Sequence, residues 1–128
     1  GAFVRVFIDS NIPMYVAGSD HPNRAPARRV LEAVHSGDIE GCTSTEVLQE
    51  ILYRYVGLKR TDLAIEVYEL FVALCSEVFP VGVADTDRAR DLVSSGAQVG
   101  VRDAIHTAVM LNNDIDVSVK TCVIVVIF

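Results

Sequence analysis

The chain has 128 residues, of which 51% are hydrophobic and 22% charged, a composition typical of a globular domain. A chain of this length buries roughly two-thirds of its unfolded surface, so we expect one domain over residues 1–128. The net charge of −6 argues against binding of nucleic acid through bulk positive charge. It remains compatible with a nuclease in which metal ions bridge acidic residues to phosphate.

The cysteines indicate a reducing environment. Cys42, Cys75 and Cys122 are odd in number and far apart along the chain. This pattern suits small buried thiols better than a disulfide framework or a zinc site. We therefore expect a cytoplasmic protein.

The first predicted element is a strand over residues 3–8, where Val, Ile and Phe dominate as they do in buried parallel strands. Asp9, Ser10 and Asn11 follow it directly. Ligands of open α/β sheets bind beyond the carboxyl ends of the strands, so chemistry is expected at Asp9. The alternative is that Asp9 and Ser10 only shape the turn after the strand.

The rest of the chain alternates between helical and strand patterns. Helices are predicted over 27–35, from Thr43 to near Gly57, over 61–76, from Asp85 or Thr86 to Gly96, and from Arg102 to Leu111. Strands are predicted over 39–42, 79–83, 117–119 and 122–128. The alternation indicates a single α/β domain with a mostly parallel sheet.

The second predicted helix carries two acids with different predicted roles. Its first residues match a capping box, with Thr43 as the N-cap and Glu46 as its partner. This assignment leaves Glu50, one turn further on, as the free carboxylate. The alternative for Glu50 is an ion pair with Arg54 at the i+4 position, which contributes only about 0.2–0.5 kcal/mol.

A third acid, Asp103, lies in the first turn of the last predicted helix, where it could simply complement the helix dipole. Together with Asp9 and Glu50, however, it could converge at one edge of the sheet. Clustered carboxylates repel one another unless a cation lies among them. Oxygen ligands suit Mg²⁺ or Mn²⁺, and such a cluster supports phosphodiester hydrolysis by metal-activated water.

Other residue types indicate less. His21, His35 and His106 lack the spacing of a zinc site, and His106 is predicted to be a packed or hydrogen-bonded residue rather than a catalyst. Several basic residues could flank a groove for a phosphate backbone, although a solvated surface is the alternative. These residues are Arg24, Arg28, Arg29, Lys59, Arg60 and Arg102.

Three segments, in this order, resemble the PIN-domain family. They are Asp-Ser-Asn after the first strand, Thr-Ser-Thr-Glu-Val-Leu-Gln-Glu-Ile-Leu over 43–52, and Val-Arg-Asp-Ala-Ile-His-Thr-Ala-Val-Met over 101–110. The resemblance extends from Phe3 to about Asp116. Many members are VapC-type ribonuclease toxins of toxin–antitoxin pairs. The resemblance implies a three-layer α/β/α sandwich with a central, mostly parallel sheet, and cleavage of RNA that depends on Mg²⁺ or Mn²⁺.

The resemblance also implies a site and partners. Asp9, Glu50 and Asp103 match the three acids that hold the metal and carry catalysis, and Asn11 matches a supporting polar residue. The implied partners are an RNA substrate, a second copy of the chain in a homodimer and, for a toxin, a cognate antitoxin that blocks the site.

The chain departs from the family at its C-terminal end. The family usually carries a further Asp after its next strand, but residues 117–128 contain no acid, and Thr121 or Cys122 occupies roughly that place. Asp114 and Asp116 come too early. The alternative function is therefore a catalytically degenerate PIN domain that binds RNA or protein.

A phosphatase or phosphoryl acceptor with Asp9 as its nucleophile is the less favoured rival. Phosphatases of the haloacid-dehalogenase type carry a second Asp two residues after the nucleophile. In this chain Asn11 stands at that position.

Overall fold

The computed structural model describes residues 4–11, 22, 24–96 and 98–117. The strands of this part are β1 (Arg5–Phe7), β2 (Glu40–Ser44) and β3 (Glu77–Phe79). Its helices are α1 (Arg24–Ser36), α2 (Thr45–Gly57), α3 (Thr61–Leu74), α4 (Val83–Ser94) and α5 (Val101–Asn112). Within these described residues, no helix combines the length and the apolar character that crossing a bilayer requires.

The three strands form a parallel sheet in the order β1-β2-β3. Parallel neighbours need long crossover connections, and helices provide them here: α1 lies between β1 and β2, and α2 and α3 lie between β2 and β3. The carboxyl ends of all three strands therefore meet at one edge of the sheet. Asp9 follows β1 at this edge, and α2 begins there directly after β2.

Helices cover both faces of the sheet. On one face, a Cβ atom added at Gly41 would lie only 2.8 Å from Ile8 Cδ1 and 2.9 Å from Val34 Cγ1 of α1, so the absence of a side chain permits this close packing. Successive strand residues point to opposite faces. On the other face, Phe7 contacts the ring of His106 from α5, with ring centroids 5.4 Å apart. The predicted three-layer α/β/α fold is confirmed.

Two clusters of buried side chains hold the layers together. The larger one joins the sheet to α1, α2, α3 and the C-terminal half of α5, and Phe7, Ile51 and Met110 are among its most buried members. The smaller one packs Ala89 of α4 against Ala104 and Ala108 of α5. Small side chains at this second contact let the two helix backbones approach closely.

A buried acid fixes α4 against α5. The side chain of Asp85 accepts a hydrogen bond from the backbone N–H of Gly82 at 2.8 Å and another from the Asn112 side chain at 2.8 Å. Because Asp85 is buried, these bonds compensate for its lost hydration. Helix α4 thus begins at Val83, with Asp85 as its third residue, and the predicted start at Asp85 or Thr86 is wrong by one turn or less.

The predicted capping box at the start of α2 is also wrong. The N-cap is Ser44, whose hydroxyl accepts a hydrogen bond from the backbone N–H of Val47 at 3.4 Å. Thr43 still belongs to β2, where it lies opposite Val78 and donates its hydroxyl proton to the carbonyl oxygen of Ile8 at 2.9 Å. Thr43 and Ser44 are both good N-caps, and strand pairing decides between them.

Two strand predictions also need correction. The third strand ends at Phe79 rather than running over 79–83, because Pro80 has no backbone N–H to continue the ladder. Val117 has helical rather than extended backbone. The remainder of the two predicted C-terminal strands, residues 118–119 and 122–128, lies outside the described residues.

The two described cysteines are predicted to be unreactive in the folded protein. Burial raises the pKa of Cys42 to about 11 and that of Cys75 to about 12, and only the thiolate is nucleophilic. In a Cys122→Ser variant at pH 8, we expect iodoacetamide to modify neither remaining thiol until denaturant is added. Mass spectrometry of the protein with and without urea measures this. Rapid alkylation without urea would contradict the buried placement.

Candidate metal and catalytic site

The first part of the site is the turn that follows β1. Asp9 is buried, with 2% of its surface exposed, and its Oδ1 accepts the backbone N–H of Ser10 at 2.6 Å. The Ser10 hydroxyl lies 3.2 Å from the same oxygen and 2.8 Å from Glu50 Oε2. Asp9 therefore shapes the turn, which was one of the two predictions from the sequence. Through the Ser10 hydroxyl it is also linked to the carboxylate of Glu50.

Glu50 brings the second carboxylate from α2. The Ser44 cap begins α2 at the carboxyl edge of the sheet, and Glu50 lies in its second turn, with a largely buried side chain. Its ion pair is formed with Arg102, at 2.8 Å between Arg102 Nε and Glu50 Oε2. The sequence offered Arg54 as the alternative partner of Glu50, but the structure pairs Glu50 with Arg102.

Arg102 connects both acids through one planar guanidinium group. Besides the bond to Glu50, its terminal Nη2 donates to Asp9 Oδ1 and lies 3.2 Å from the Ser10 hydroxyl. Its other terminal nitrogen lies 3.7 Å from Asp103 Oδ1. Arginine has a rigid fork of donors that suits such bridging, which the single ammonium group of lysine could not reproduce.

These contacts shift the pKa values of both partners. Burial alone would raise the pKa of Glu50, but His106, Ser10 and Arg102 act in the opposite direction and lower it to about 2. Burial alone would lower the pKa of Arg102, but the negative charges of Asp9, Glu50 and Asp103 raise it. Both groups are therefore held in their charged forms.

The lowered pKa of Glu50 predicts a pH dependence of stability. Because the folded-state value of about 2 lies below the ordinary value of 4.5, ionised Glu50 stabilises the fold above pH 4.5. This contribution is lost progressively as the pH falls from 4.5 towards 2. We expect Glu50→Gln to remove that part of the acid destabilisation, measured as Tm against pH in EDTA. An unchanged profile would contradict the prediction.

His106 lies directly behind the acid pair. It is fully buried, as the predicted packing role requires, and its Nε2 is 3.3 Å from Glu50 Oε1 and 3.8 Å from Asp9 Oδ1. Asp9, Glu50 and His106 each offer one ligand atom, and these atoms lie within 4.8 Å of one another. The sequence predicted a packed or hydrogen-bonded histidine but did not connect it to Asp9 or Glu50.

The chemistry of these side chains fits a divalent cation. Asp9 Oδ2 and His106 Nδ1 are buried and have no hydrogen-bond partner among the described residues, and the buried Glu50 Oε1 and His106 Nε2 have only each other, 3.3 Å apart. Buried polar atoms without partners are rare and call for an explanation such as an ion. Carboxylate oxygens suit Mg²⁺ and Mn²⁺, and an imidazole nitrogen also suits Mn²⁺ and other transition metals.

The third predicted acid takes a different position. Asp103 lies in the first turn of α5 with 47% of its side chain exposed, and it contacts the site through Arg102. Within the described part of the chain it is not in the group of close ligand atoms. Asp114 and Asp116, the early candidates for a fourth acid, are not in that group either. Thr121 and Cys122 lie outside the described residues.

An open groove of about 850 Å³ runs past the site. Its lining includes two acids, two arginines and two exposed apolar or aromatic residues: Glu46, Glu50, Tyr53, Arg54, Leu58 and Arg102. Of the basic residues predicted to flank a groove for a phosphate backbone, Arg102 lines this one, and Arg54 is a second arginine in the lining. Glu50 and Arg102 belong both to the groove and to the buried site, so the groove leads directly to the acid pair.

Arg102 is the site residue whose role sequence reasoning missed. One signal pointed to it: it is the second residue of α5, where a positive charge opposes the helix dipole. An arginine at such a position needs a compensating partner, and Asp9 and Glu50 supply it.

Comparisons with known proteins bear on the family of this chain. The family model of the PIN domain matches residues 6–120. Ribonuclease VapC13 of Mycobacterium tuberculosis is 40% identical over 110 residues, which cover 86% of this chain and 84% of that protein. Ribonuclease VapC23 of the same organism is 39% identical over 103 residues, covering 80% and 81%.

A solved structure gives the same answer for the fold. The crystal structure of Mycobacterium tuberculosis VapC20, titled a sarcin–ricin loop cleaving toxin, matches with a TM-score of 0.69 over 86% of this chain and 84% of that one. Its sequence identity is 17%, so this match concerns the fold alone. With the family match and the relatives at about 40% identity, it follows that this chain belongs to the PIN-domain family.

Proposed function

We propose that this protein is an endoribonuclease that depends on Mg²⁺ or Mn²⁺ and acts as the toxin of a toxin–antitoxin pair. The observation that carries the proposal is the convergence of Asp9, Glu50 and the buried His106 beside an open groove, with Asp9 Oδ2 buried and without a hydrogen-bond partner among the described residues. The names of the relatives, ribonucleases VapC13 and VapC23, support RNA as the substrate.

The proposed role of each site residue follows from its position. Asp9, Glu50 and His106 would hold the cation, which supplies activation of the attacking water and stabilisation of the charge that develops on the phosphate. Asp103, as the third predicted catalytic and metal-binding acid, stands at the exposed rim beside Arg102. Ser10 holds both carboxylates in place through its backbone N–H and its hydroxyl.

The groove has the chemistry of a path for single-stranded RNA. Arg54 and Arg102 supply positive charge for phosphates, while Tyr53, which is 77% exposed, offers a ring on which a base can stack. Glu46 and Glu50 in the same groove disfavour phosphate unless a cation lies between them. We therefore expect RNA to bind much more weakly in EDTA than in Mn²⁺.

The helices beside the groove support protein partners. Large apolar or aromatic side chains are exposed on α2 and α3, among them Tyr53, Val56, Ile65 and Leu70. Exposed apolar surface of this kind supports a protein contact. We propose that it serves a homodimer or the cognate antitoxin, and that the protein acts in the cytoplasm. Light scattering coupled to gel filtration measures the oligomeric state.

One observation favours a second candidate, a degenerate PIN domain that binds RNA without cleaving it. Arg102 already places a positive charge on both carboxylates. If no metal entered, the arginine would still hold the two carboxylates in place, but the site would have no activated water.

The decisive experiment compares cleavage of a structured RNA that has single-stranded loops by the protein in Mn²⁺, in Mg²⁺ and in EDTA. Cleavage in either metal and none in EDTA is the expected result. Binding of RNA by well-folded protein without cleavage in any of the three conditions would favour the degenerate module instead. Gel electrophoresis of end-labelled RNA reports both the rate and the positions of the cuts.

A further inference from the structure

The position of Arg102 raises the question of how a cation could enter the site. Its guanidinium group donates to one oxygen of Asp9 and to one oxygen of Glu50, the two carboxylates proposed as metal ligands. A divalent cation between the same carboxylates would lie close to this positive group. Two cations at such separations repel each other, and the low polarity of a partly buried site strengthens the repulsion.

The charges of the site show what Arg102 achieves without metal. The carboxylates of Asp9, Glu50 and Asp103 surround the single guanidinium group of Arg102, so acidic groups outnumber the arginine. Carboxylates in one network repel one another. The guanidinium group between Asp9 and Glu50 offsets this repulsion and holds both side chains in place.

We propose that Arg102 is a built-in counter-cation of the Asp9–Glu50 pair, which competes with the divalent metal and withdraws from at least one carboxylate when the metal binds. This inference rests on the proposed metal-dependent function. The side chain is 38% exposed and lines the groove, so it has room to turn outward. Withdrawal would release Asp9 Oδ1 or Glu50 Oε2 as a further ligand atom.

A purely structural role for Arg102 makes the opposite prediction. If the arginine only positioned the two carboxylates and stayed in place beside the metal, its removal would disorder the ligands and weaken metal binding. If it competes with the metal, its removal strengthens metal binding. The direction of the change in affinity therefore distinguishes the two roles.

The test is the affinity for Mn²⁺, measured by electron paramagnetic resonance of the free ion in titrations without RNA. We expect Arg102→Gln to bind Mn²⁺ about tenfold more tightly than the unaltered protein, because a neighbouring charge shifts ionic equilibria by about one to three powers of ten. Arg102→Lys, which keeps the charge but loses the planar fork, is expected to fall between them.

Arg90→Gln is the matched control. Arg90 also contacts two acids, Asp87 at 3.8 Å and Asp91 at 3.1 Å, but all three side chains are exposed on α4. The Arg90→Gln substitution removes the same charge as Arg102→Gln, and we expect it to change the Mn²⁺ affinity less than twofold.

An unchanged or weaker Mn²⁺ affinity in folded Arg102→Gln would overturn the inference while leaving the metal site itself in place. Absence of Mn²⁺ binding by the unaltered protein and by both Arg102 variants would overturn the proposed metal-dependent function as well. If Arg102→Gln does not fold in EDTA, Arg102→Lys carries the test. An affinity no tighter than that of the unaltered protein then counts against competition.

Discussion

Replacing Asp9 with Asn is expected to lower the rate of RNA cleavage by more than about 100-fold. The change keeps the shape of a side chain that is 2% exposed but removes its charge and turns one ligand oxygen into an N–H₂ group. Mutations of mere outer partners of metal ligands cost about 10–100-fold, so loss of a ligand should exceed that range. Cleavage at saturating Mn²⁺ measures the effect, and circular dichroism establishes that the variant is folded.

Asp87→Asn is the control for Asp9→Asn. Asp87 is an exposed residue of α4 whose charge is engaged with Arg90 on the surface. The same substitution there should leave cleavage within about twofold of the original rate. Retention of cleavage by folded Asp9→Asn would remove Asp9 from the catalytic site, whatever the metal dependence of the reaction.

The largest expected loss of stability comes from Phe7→Ala. Phe7 is 1% exposed and contacts His106 across the face of the sheet that carries α5. Truncation of a buried Phe typically costs about 3–5 kcal/mol of unfolding free energy, because the remaining cavity is filled only in part. That is a large share of the roughly 5–15 kcal/mol that holds a domain folded. Urea unfolding at pH 7 measures the change.

Val83→Ala provides the comparison for Phe7→Ala. Val83 is 75% exposed at the first position of α4, so its truncation should alter the unfolding free energy by no more than about 0.5 kcal/mol. Equal stability of the Phe7→Ala and Val83→Ala variants would show that the β1 face is not packed as described.

Local sequence patterns were sufficient to predict much of the fold. The period of apolar residues locates α2 and α5, and the apolar run before Asp9 locates β1, because burial imposes these spacings on each element separately. Element ends were less predictable. Thr43 and Ser44 are chemically equivalent as caps, and only the pairing of β2 with its neighbours decides between them.

The site required information that no single segment contains. Asp9 could be proposed because it follows a recognisable strand, and Glu50 because of the resemblance to the PIN-domain family, since the capping box that also singled it out is absent from the structure. Which side of α5 faces them depends on how the helix rotates against the sheet, and this rotation brings His106 to the pair while Asp103 stays at the rim. The bridging role of Arg102 follows from the same packing and could not be read from its neighbours in the sequence.

The spacing of the site residues along the chain has a consequence for synthesis. Asp9 and Arg102 contact each other although 93 positions separate them, and Glu50 lies between. A growing polypeptide that has passed Glu50 still lacks α5, and with it Arg102, Asp103 and His106. The ribosome therefore releases three of these five residues only after most of the chain has emerged. A translation product interrupted before α5 would carry Asp9 and Glu50 but not the assembled site.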